Sequence, residues 1–475
     1  MKDRERWIIG CFIAASGLVL FFNLWARTLE NHDYLRHAEV AREMMRSGDW
    51  VVLRLNGEIY LDKLPFFFWL ISIPASLYGV VTPLIARLPS AVSAWMGVIV
   101  LFFWGKRIYR SPWAGLLSGG VLLSTYQYFS YARAARPDMV LCVLILFCLY
   151  FFYLGYEEAS KKKYLFHGLS FFSMGLAVLT KGPIPLLIPL AVMAAFLIKE
   201  KQTHLFLSKE FLLGCGLLVI TVLPWILLFV SRLGFDQTLT LVEENRILSR
   251  QAPFYFYFSK IWAEFLPWSL FLPVLGVFVW KNRKKIWFSR ESFFLIWFIL
   301  LFVGLTVIKY RASRYLLPAL PPLALMIGGM GRKKIRLFLI PLSVSILIWH
   351  GVEIYWANKN LSRSPGIVLT GELRPLLGEA TLYGYRLDVS TLEEINFYLD
   401  RVTPNLKRYD NLSKALEKEE GALILMQDKL YEKIQRSGND SMIFIRGFQY
   451  KEGKLVLVSG RVDRRSLHTK PASQP

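Results

Sequence analysis

The chain has 475 residues, 54% of them hydrophobic and 15% aromatic, with 57 Lys+Arg against 35 Asp+Glu and a net charge of +22. Length alone suggests about three soluble domains, but only 19% of the residues are charged, too few to solubilise so apolar a chain. Abundant Leu, Ile, Val and Phe exclude disorder, and the basic excess must reflect nucleic acid, anionic lipid or the charge bias of membrane insertion.

Apolar runs recur from residue 8 to about 355, each able to cross a hydrocarbon core of roughly 30 Å. In chain order the expected spans are 8–26, 88–104, 112–130, 139–155, 164–180, 183–198, 211–231, 261–280, 293–308, 315–330 and 337–355. Basic clusters such as Lys106/Arg107/Arg110, Lys161–Lys163 and Arg332/Lys333/Lys334/Arg336 fall between alternate spans. By the positive-inside rule these loops face the cytoplasm, and together they hold 21 basic and 7 acidic residues. Most of the excess is therefore insertion topology, and no nucleic-acid partner is expected.

Residues 65–80 (PFFFWLISIPASLYGV) are apolar but short, with Pro65 and Pro74. If they crossed, every later basic loop would change sides, so an interfacial or re-entrant segment on the outer side is expected. The first span follows a charged start with no small-residue cleavage site and reads as a retained anchor. Cys11, Cys142, Cys148 and Cys215 all lie in apolar spans and suit core packing; no zinc spacing occurs.

After residue 356 the texture changes. Short β-like runs (ATLYGY, ALILM, MIFIRGF, KLVLVS) alternate with helix-like stretches (TLEEINFYLD, NLSKALEKEE). The expected fold class is an α-helical polytopic membrane protein of about eleven or more transmembrane helices over 1–356, followed by a small soluble α/β domain, 357–475. Eleven spans from a cytoplasmic N-terminus place that domain outside.

The outward loops carry the candidate chemistry. The first, 27–87, is long and holds seven acidic and seven basic residues, whereas a mere connection is short. Its helical part HDYLRHAEVAREMMRSGD has Asp33 near the N-terminus, where the helix dipole favours a carboxylate, with Arg36 one turn on. Asp33 is equally readable as an N-cap, and Glu39, Arg42, Glu43 and Arg46 suit a solvated salt-bridge face. In RLNGEIYLDKLPFFFW, Asn56-Gly57 signals a hairpin turn. Asp62-Lys63 then stand at the membrane boundary, either snorkelling or offering a lysine to a lipid phosphate. Asp138, at the start of a span, is costly unless used or paired, and Arg136 is an available partner. Lys181, Arg311 and Arg314 are outward cations that run against the topological bias, as phosphate clamping requires. VEENRILSR adds Glu243, Glu244 and Asn245, and the six histidines show no HxxH or HExxH spacing. His32 and His37, which flank Asp33, read as surface or interfacial residues. No P-loop or dinucleotide glycine pattern supports a nucleotide as the direct donor.

In order, D-x-x-R-x-A-E-x-A-R-E-M (33–44), GDW, RLNG, Y-x-D-K-x-P (60–65), IARLPS (85–90), RPDM, LTKGP and SRYLLPALPPLAL (313–325) resemble the bacterial aminoarabinose transferase and protein O-mannosyltransferase superfamily. The resemblance covers roughly residues 5–330. It implies a GT-C fold and an inner-membrane enzyme that transfers a sugar from a polyprenyl-phosphate donor, with inversion, to a glycolipid such as lipid A or to a protein, on the periplasmic side. By the same resemblance Asp33 and Asp138 are the functional carboxylates. Arg36, Lys63, Lys181, Arg311, Arg314 and Tyr315 belong to the donor-phosphate region. Some family members hold a divalent metal between the acid before the lysine and a later histidine. Here that acid is Asp62 rather than Glu, the later loop offers Glu243, Glu244 or Asn245 in place of histidine, and Asp33-Tyr34 replaces an Asp-Glu pair. The competing class is a transporter or flippase of lipid-linked sugars, which would place charges at the bilayer midplane in repeated halves; no internal repeat is visible.

Overall fold

Inside hydrocarbon a backbone is satisfied only within its own helical turns, and among the described residues before 356 the apolar runs are mainly helical. The computed structural model describes residues 2–29, 32–235, 252–308, 311–361, 365–378, 380–418, 422–436, 442–451 and 453–460. In chain order α1 is Lys2–Phe21, α2 His32–Ser47, α3 Phe66–Tyr78, α4 Pro83–Tyr109, α5 Pro112–Ser124 and α6 Tyr126–Ala132. Then come α7 Pro137–Glu157, α8 Lys162–Lys181, α9 Ile184–Lys199, α10 Lys209–Leu233, α11 Phe256–Glu264, α12 Leu272–Lys281 and α13 Arg283–Trp287. The membrane part closes with α14 Ser292–Val307, α15 Leu320–Gly331 and α16 Ile335–Leu361.

Among the described residues, α4, α7, α10 and α16 are long and apolar enough to cross a membrane. A fifth crossing results if α11 and the stretch Trp268–Lys281, bent by 113°, count as one. The other runs are shorter, interrupted or more charged. The run expected as one span over 112–130 breaks at Thr125, whose backbone is extended. The freed Ser124 carbonyl accepts the Trp349 indole N–H at 2.9 Å, and the Tyr126 N–H donates to Leu266 O at 2.9 Å. The run 315–330 begins with a 3₁₀ stretch, Ser313–Ala319, containing Pro318, which removes a helical donor. At 13 residues, α3 is about 20 Å long, too short to cross as a straight helix.

By packing, the chain divides into two units: Met1–Arg27, Val40–Leu53 and Ile59–Trp356; and Thr28–Glu39, Arg54–Glu58 and Ala357–Pro475. The core of the first surrounds Trp104, fully buried against Trp297, Phe293, Phe294 and Tyr153. Small residues let its helices approach closely: a Cβ on Gly115 would stand 2.5 Å from the Phe102 carbonyl oxygen. The end of α1 is held by buried arginines. Arg133 donates to the carbonyls of Leu20 (3.0 Å) and Phe22 (2.8 Å), and Arg87 to that of Leu24 (3.4 Å).

In the second unit α17 (Pro365–Leu377), α18 (Val389–Leu399), α19 (Tyr409–Lys418) and α20 (Asp428–Arg436) surround a sheet. The two-stranded hairpin of β1 (Arg54–Leu55) and β2 (Glu58–Ile59) precedes it in the chain. It turns at Asn56 and Gly57, both with positive φ, as Asn-Gly allows. The main sheet comprises β3 (Leu382–Tyr385), β4 (Asn405–Leu406), β5 (Leu423–Gln427), β6 (Met442–Tyr450) and β7 (Gly453–Gly460), in the order β4-β3-β5-β7-β6. Strand β3 runs parallel to β4 and β5, whereas β7 is antiparallel to β5 and β6, with Leu425 opposite Leu457. Alternation splits β5 and β7 between two faces. Leu423, Leu425, Leu455 and Leu457 join Leu369, Leu373 and Ile395 of α17 and α18; Ile424, Met426, Val456 and Val458 join Leu412 and Ile434 of α19 and α20. Each of the β-like runs read from the sequence overlaps one of these strands, with Ala380, Thr381 and Ala422 outside them.

Candidate functional site

In the first unit the charges gather on Asp138. It sits in the first turn of α7, where the helix dipole stabilises a carboxylate, and Lys181 ends α8, where the dipole favours a cation. Lys181 Nζ lies 2.6 Å from Asp138 Oδ1, Arg136 Nε 3.2 Å from Oδ2 and Arg314 Nε 3.9 Å from Oδ1. Asp138 is buried, whereas Lys181 and Arg314 keep 18% and 35% of their side-chain exposure. Three cations on one carboxylate leave a positive excess able to receive an anion. The Tyr315 ring floors it, with Lys181 Nζ 4.8 Å and Arg314 Cζ 5.4 Å from the ring centroid.

Lys63 belongs to the same electrostatic neighbourhood. Burial lowers its ammonium pKa, and Lys181 and Arg314 lower it further, against the pull of Asp62 and Asp138. Its Nζ donates to the Asp62 carbonyl at 2.9 Å. The preceding loop is fixed by indoles: Trp69 donates to Trp50 O (2.8 Å) and Trp225 to Val51 O (3.2 Å).

From the charged cluster a cavity of about 480 Å³ runs between helices. Asp138, Lys181, Arg314 and Tyr315 line its polar end. Its walls are Leu141 and Ile145 of α7, Ile184, Leu187, Ile188 and Ala191 at and beyond the start of α9, and Leu300, Leu301, Gly304 and Leu305 of α14. An apolar channel with cations at one end fits a lipid with a charged head.

Asp33 and Arg36 lie in the second unit. Asp33 falls inside the first turn of α2, which begins at His32, rather than at its cap. Arg36 Nε donates to Glu393 Oε1 at 3.1 Å, and His32 Nδ1 meets Glu393 Oε2. Burial pushes the Glu393 carboxyl up to about 7, with Arg36 opposing, and burial, then Arg36, lowers the His32 imidazole.

Other expected residues fall elsewhere. Arg311 serves backbone carbonyls, donating to Thr306 O at 2.7 Å and to Ala252 O. Glu243, Glu244 and Asn245 lie outside the described residues. Among the described residues no group of three His, Cys, Asp or Glu side chains comes together as a metal site. Glu39, Arg42 and Glu43 are buried, which corrects the solvated face expected for them; Arg46 is exposed. His37 is buried too, not a surface residue. Two carboxylates escaped the sequence reading. Glu393 sits among the apolar residues of TLEEINFYL, and Glu353 interrupts the apolar run of α16 and binds Arg27 at 3.2 Å. A carboxylate inside an apolar stripe was the available signal for both.

The family model described as dolichyl-phosphate-mannose-protein mannosyltransferase matches residues 62–228. An uncharacterized protein of Aquifex aeolicus is 29% identical over 67% of this chain and 64% of its own length. The undecaprenyl phosphate-alpha-4-amino-4-deoxy-L-arabinose arabinosyl transferase 2 of Proteus mirabilis is 26% identical over 71% of this chain and 62% of its own. This chain therefore covers less than two thirds of either relative. The crystal structure of ArnT from Cupriavidus metallidurans in the apo state has the same fold, with TM-score 0.77 at 19% identity over 96% of this chain and 98% of that one. The same protein bound to undecaprenyl phosphate gives 0.75 at 20% identity over 95% and 97%. Sequence relatives over about two thirds of the chain, a family model over residues 62–228 and a shared fold along nearly the whole chain bear out the resemblance to the aminoarabinose transferase and protein O-mannosyltransferase superfamily.

Proposed function

We propose that the protein is an integral membrane glycosyltransferase that moves a sugar from a polyprenyl-phosphate donor to a glycolipid, lipid A-like, or a protein acceptor on the outer face of the inner membrane. The observation that carries this reading is the apolar channel ending on Lys181 and Arg314 beside Asp138. The relative bound to undecaprenyl phosphate and the arabinosyl transferase relative supply the donor class.

The isoprenoid chain lies along the channel, with its phosphate at the cations. As the bond between the anomeric carbon and the phosphate oxygen breaks, Lys181, Arg314 and Lys63 stabilise the charge growing on the leaving phosphate. The acceptor oxygen attacks the opposite face of the sugar and gives its proton to a carboxylate, a role for which the family resemblance names Asp33, and polyprenyl phosphate departs. Lys63 is suited to this work: burial lowers its pKa, and a partly desolvated ammonium gains from the singly charged phosphodiester of the donor and gains more as the leaving phosphate takes up its second charge. Arg36 orders the turn that carries Asp33, and the short apolar helix α3 helps exclude water.

Transfer is measured with purified protein and an undecaprenyl-phosphate-linked amino sugar. Asp33→Asn and Lys63→Ala should each lower kcat by about a hundredfold or more. Full activity in both variants would overturn the site assignment.

A further inference from the structure

A carboxylate without solvent exposure is costly unless it is paired, and Glu393 of α18 is fully buried. Both its partners come from the first turns of α2. One oxygen accepts from Arg36 Nε and the other lies against His32 Nδ1 without a hydrogen bond between them, while Arg36 Nη2 lies 2.6 Å from His32 Nε2. The three side chains stand in mutual contact, with Arg36 bonded to Glu393 and in contact with His32 at positions i and i+4 of one helix. Such contacts fix the turn between them, and the residue following His32 is Asp33.

Helix α18 also holds the other loop piece of its unit. One turn beyond Glu393, on the same face, Asn396 Nδ2 donates to Asn56 Oδ1 at 2.6 Å, at the tip of the β1–β2 turn. The Asn396 oxygen accepts the Thr403 N–H at 2.9 Å, which orients the amide. The helix is itself anchored: Asp388 caps its start, accepting the Thr391 N–H at 3.0 Å. Tyr450 donates to Glu394 at 2.8 Å.

We infer that Glu393 is a positioning residue for transfer: through Arg36 and His32 it fixes the first turn of α2, and with it the direction of the Asp33 carboxylate. This gives the 357–475 segment a part in the chemistry of the first loop. The inference rests on the reading of Asp33 as proton acceptor. Burial raises the Glu393 carboxyl, Arg36 opposes it, and Asp33 of α2 and Asp388 at its own helix start raise it further; the neighbouring His32 feels Arg36, Asp33, Asp388 and Lys451 of the β6–β7 turn. With the carboxyl raised to about 7, the ion pair with Arg36 is complete above that pH and lost below it.

The full-length protein in detergent is compared as wild type, Glu393→Gln, Glu393→Asp and Asp33→Asn, using undecaprenyl-phosphate-linked 4-amino-4-deoxy-L-arabinose as the probe donor. In Glu393→Gln, amide exchange at residues 34–38 should quicken about tenfold or more. Its kcat should fall about tenfold to a hundredfold with the donor KM held within about twofold. The acid limb of wild-type activity near pH 7 should flatten in this variant, and Glu393→Asp should recover part of kcat. Wild-type exchange and kcat in Glu393→Gln overturn the inference. An inactive Asp33→Asn beside a fully active Glu393→Gln does so while sparing the reading of Asp33; a fully active Asp33→Asn removes that reading instead.

Discussion

Asp138 answers to three cations, and the sequence showed all of them: Arg136 two positions away, and Lys181 and Arg314 in later loops. What it could not show was that Lys181 approaches more closely than Arg136, because that depends on how α7 packs on α8. Removing Lys181 leaves a buried carboxylate short of one of its three cations, so Lys181→Ala should cost roughly 1 to 3 kcal/mol, read as a lower apparent Tm in detergent. Lys181→Arg, which keeps the charge, should cost much less. Glu393 presents the opposite balance. Its carboxyl is raised above the ordinary range to about 7, burial outweighing Arg36, so the folded chain binds this proton more tightly than the unfolded one. This group's contribution to stability is therefore largest below the ordinary carboxylate pKa and is lost as pH rises towards about 7. Yet it is the ionised form that holds Arg36. Stability and positioning thus ask opposite things of one side chain, a common condition at functional sites.

At the level of elements, helix existence was readable and helix breaks were not. The apolar runs mark their helices because hydrocarbon permits little else. The break at Thr125 depends on partners at Leu266 and Trp349, far along the chain and invisible to any local pattern. The charged face of α2 misled for a related reason: salt-bridge spacing is the same on a solvated helix as on a buried one, and only tertiary packing decides between them. The channel wall offers a direct test. Gly304 lines the channel, and a Cβ added there meets nothing within 4 Å. Phenylalanine is also the better helix former. Gly304→Phe should therefore fold normally while raising the Kd for undecaprenyl phosphate about tenfold or more, measured by lipid binding to purified protein. An unchanged Kd would show that the tail lies elsewhere.

For the whole molecule, the charge of +22 divides into a strongly basic set of loops on one expected side and a nearly balanced set on the other. The orientation proposed from it is open to labelling in a background without native cysteines. Glu58, 80% exposed, as Glu58→Cys should react with a membrane-impermeant maleimide in intact cells. Lys284→Cys, at an exposed position, should react only after permeabilisation; the reverse pattern inverts the topology. The change of texture at residue 356 was legible, but not the inclusion of 28–39 and 54–58 in the unit of the C-terminal segment. Pairings such as Glu393 with Arg36 join positions hundreds of residues apart, with no local trace in either segment.

The size of the channel bears on substrate choice. About 480 Å³ is the room that a drug-sized molecule fills, far less than a long polyprenyl chain occupies. On the proposed function the protein grips only the isoprene units nearest the phosphate and leaves the remainder in the bilayer. Selection then falls on the head and neck of the donor, and the total number of isoprene units becomes a property the membrane reads rather than the enzyme.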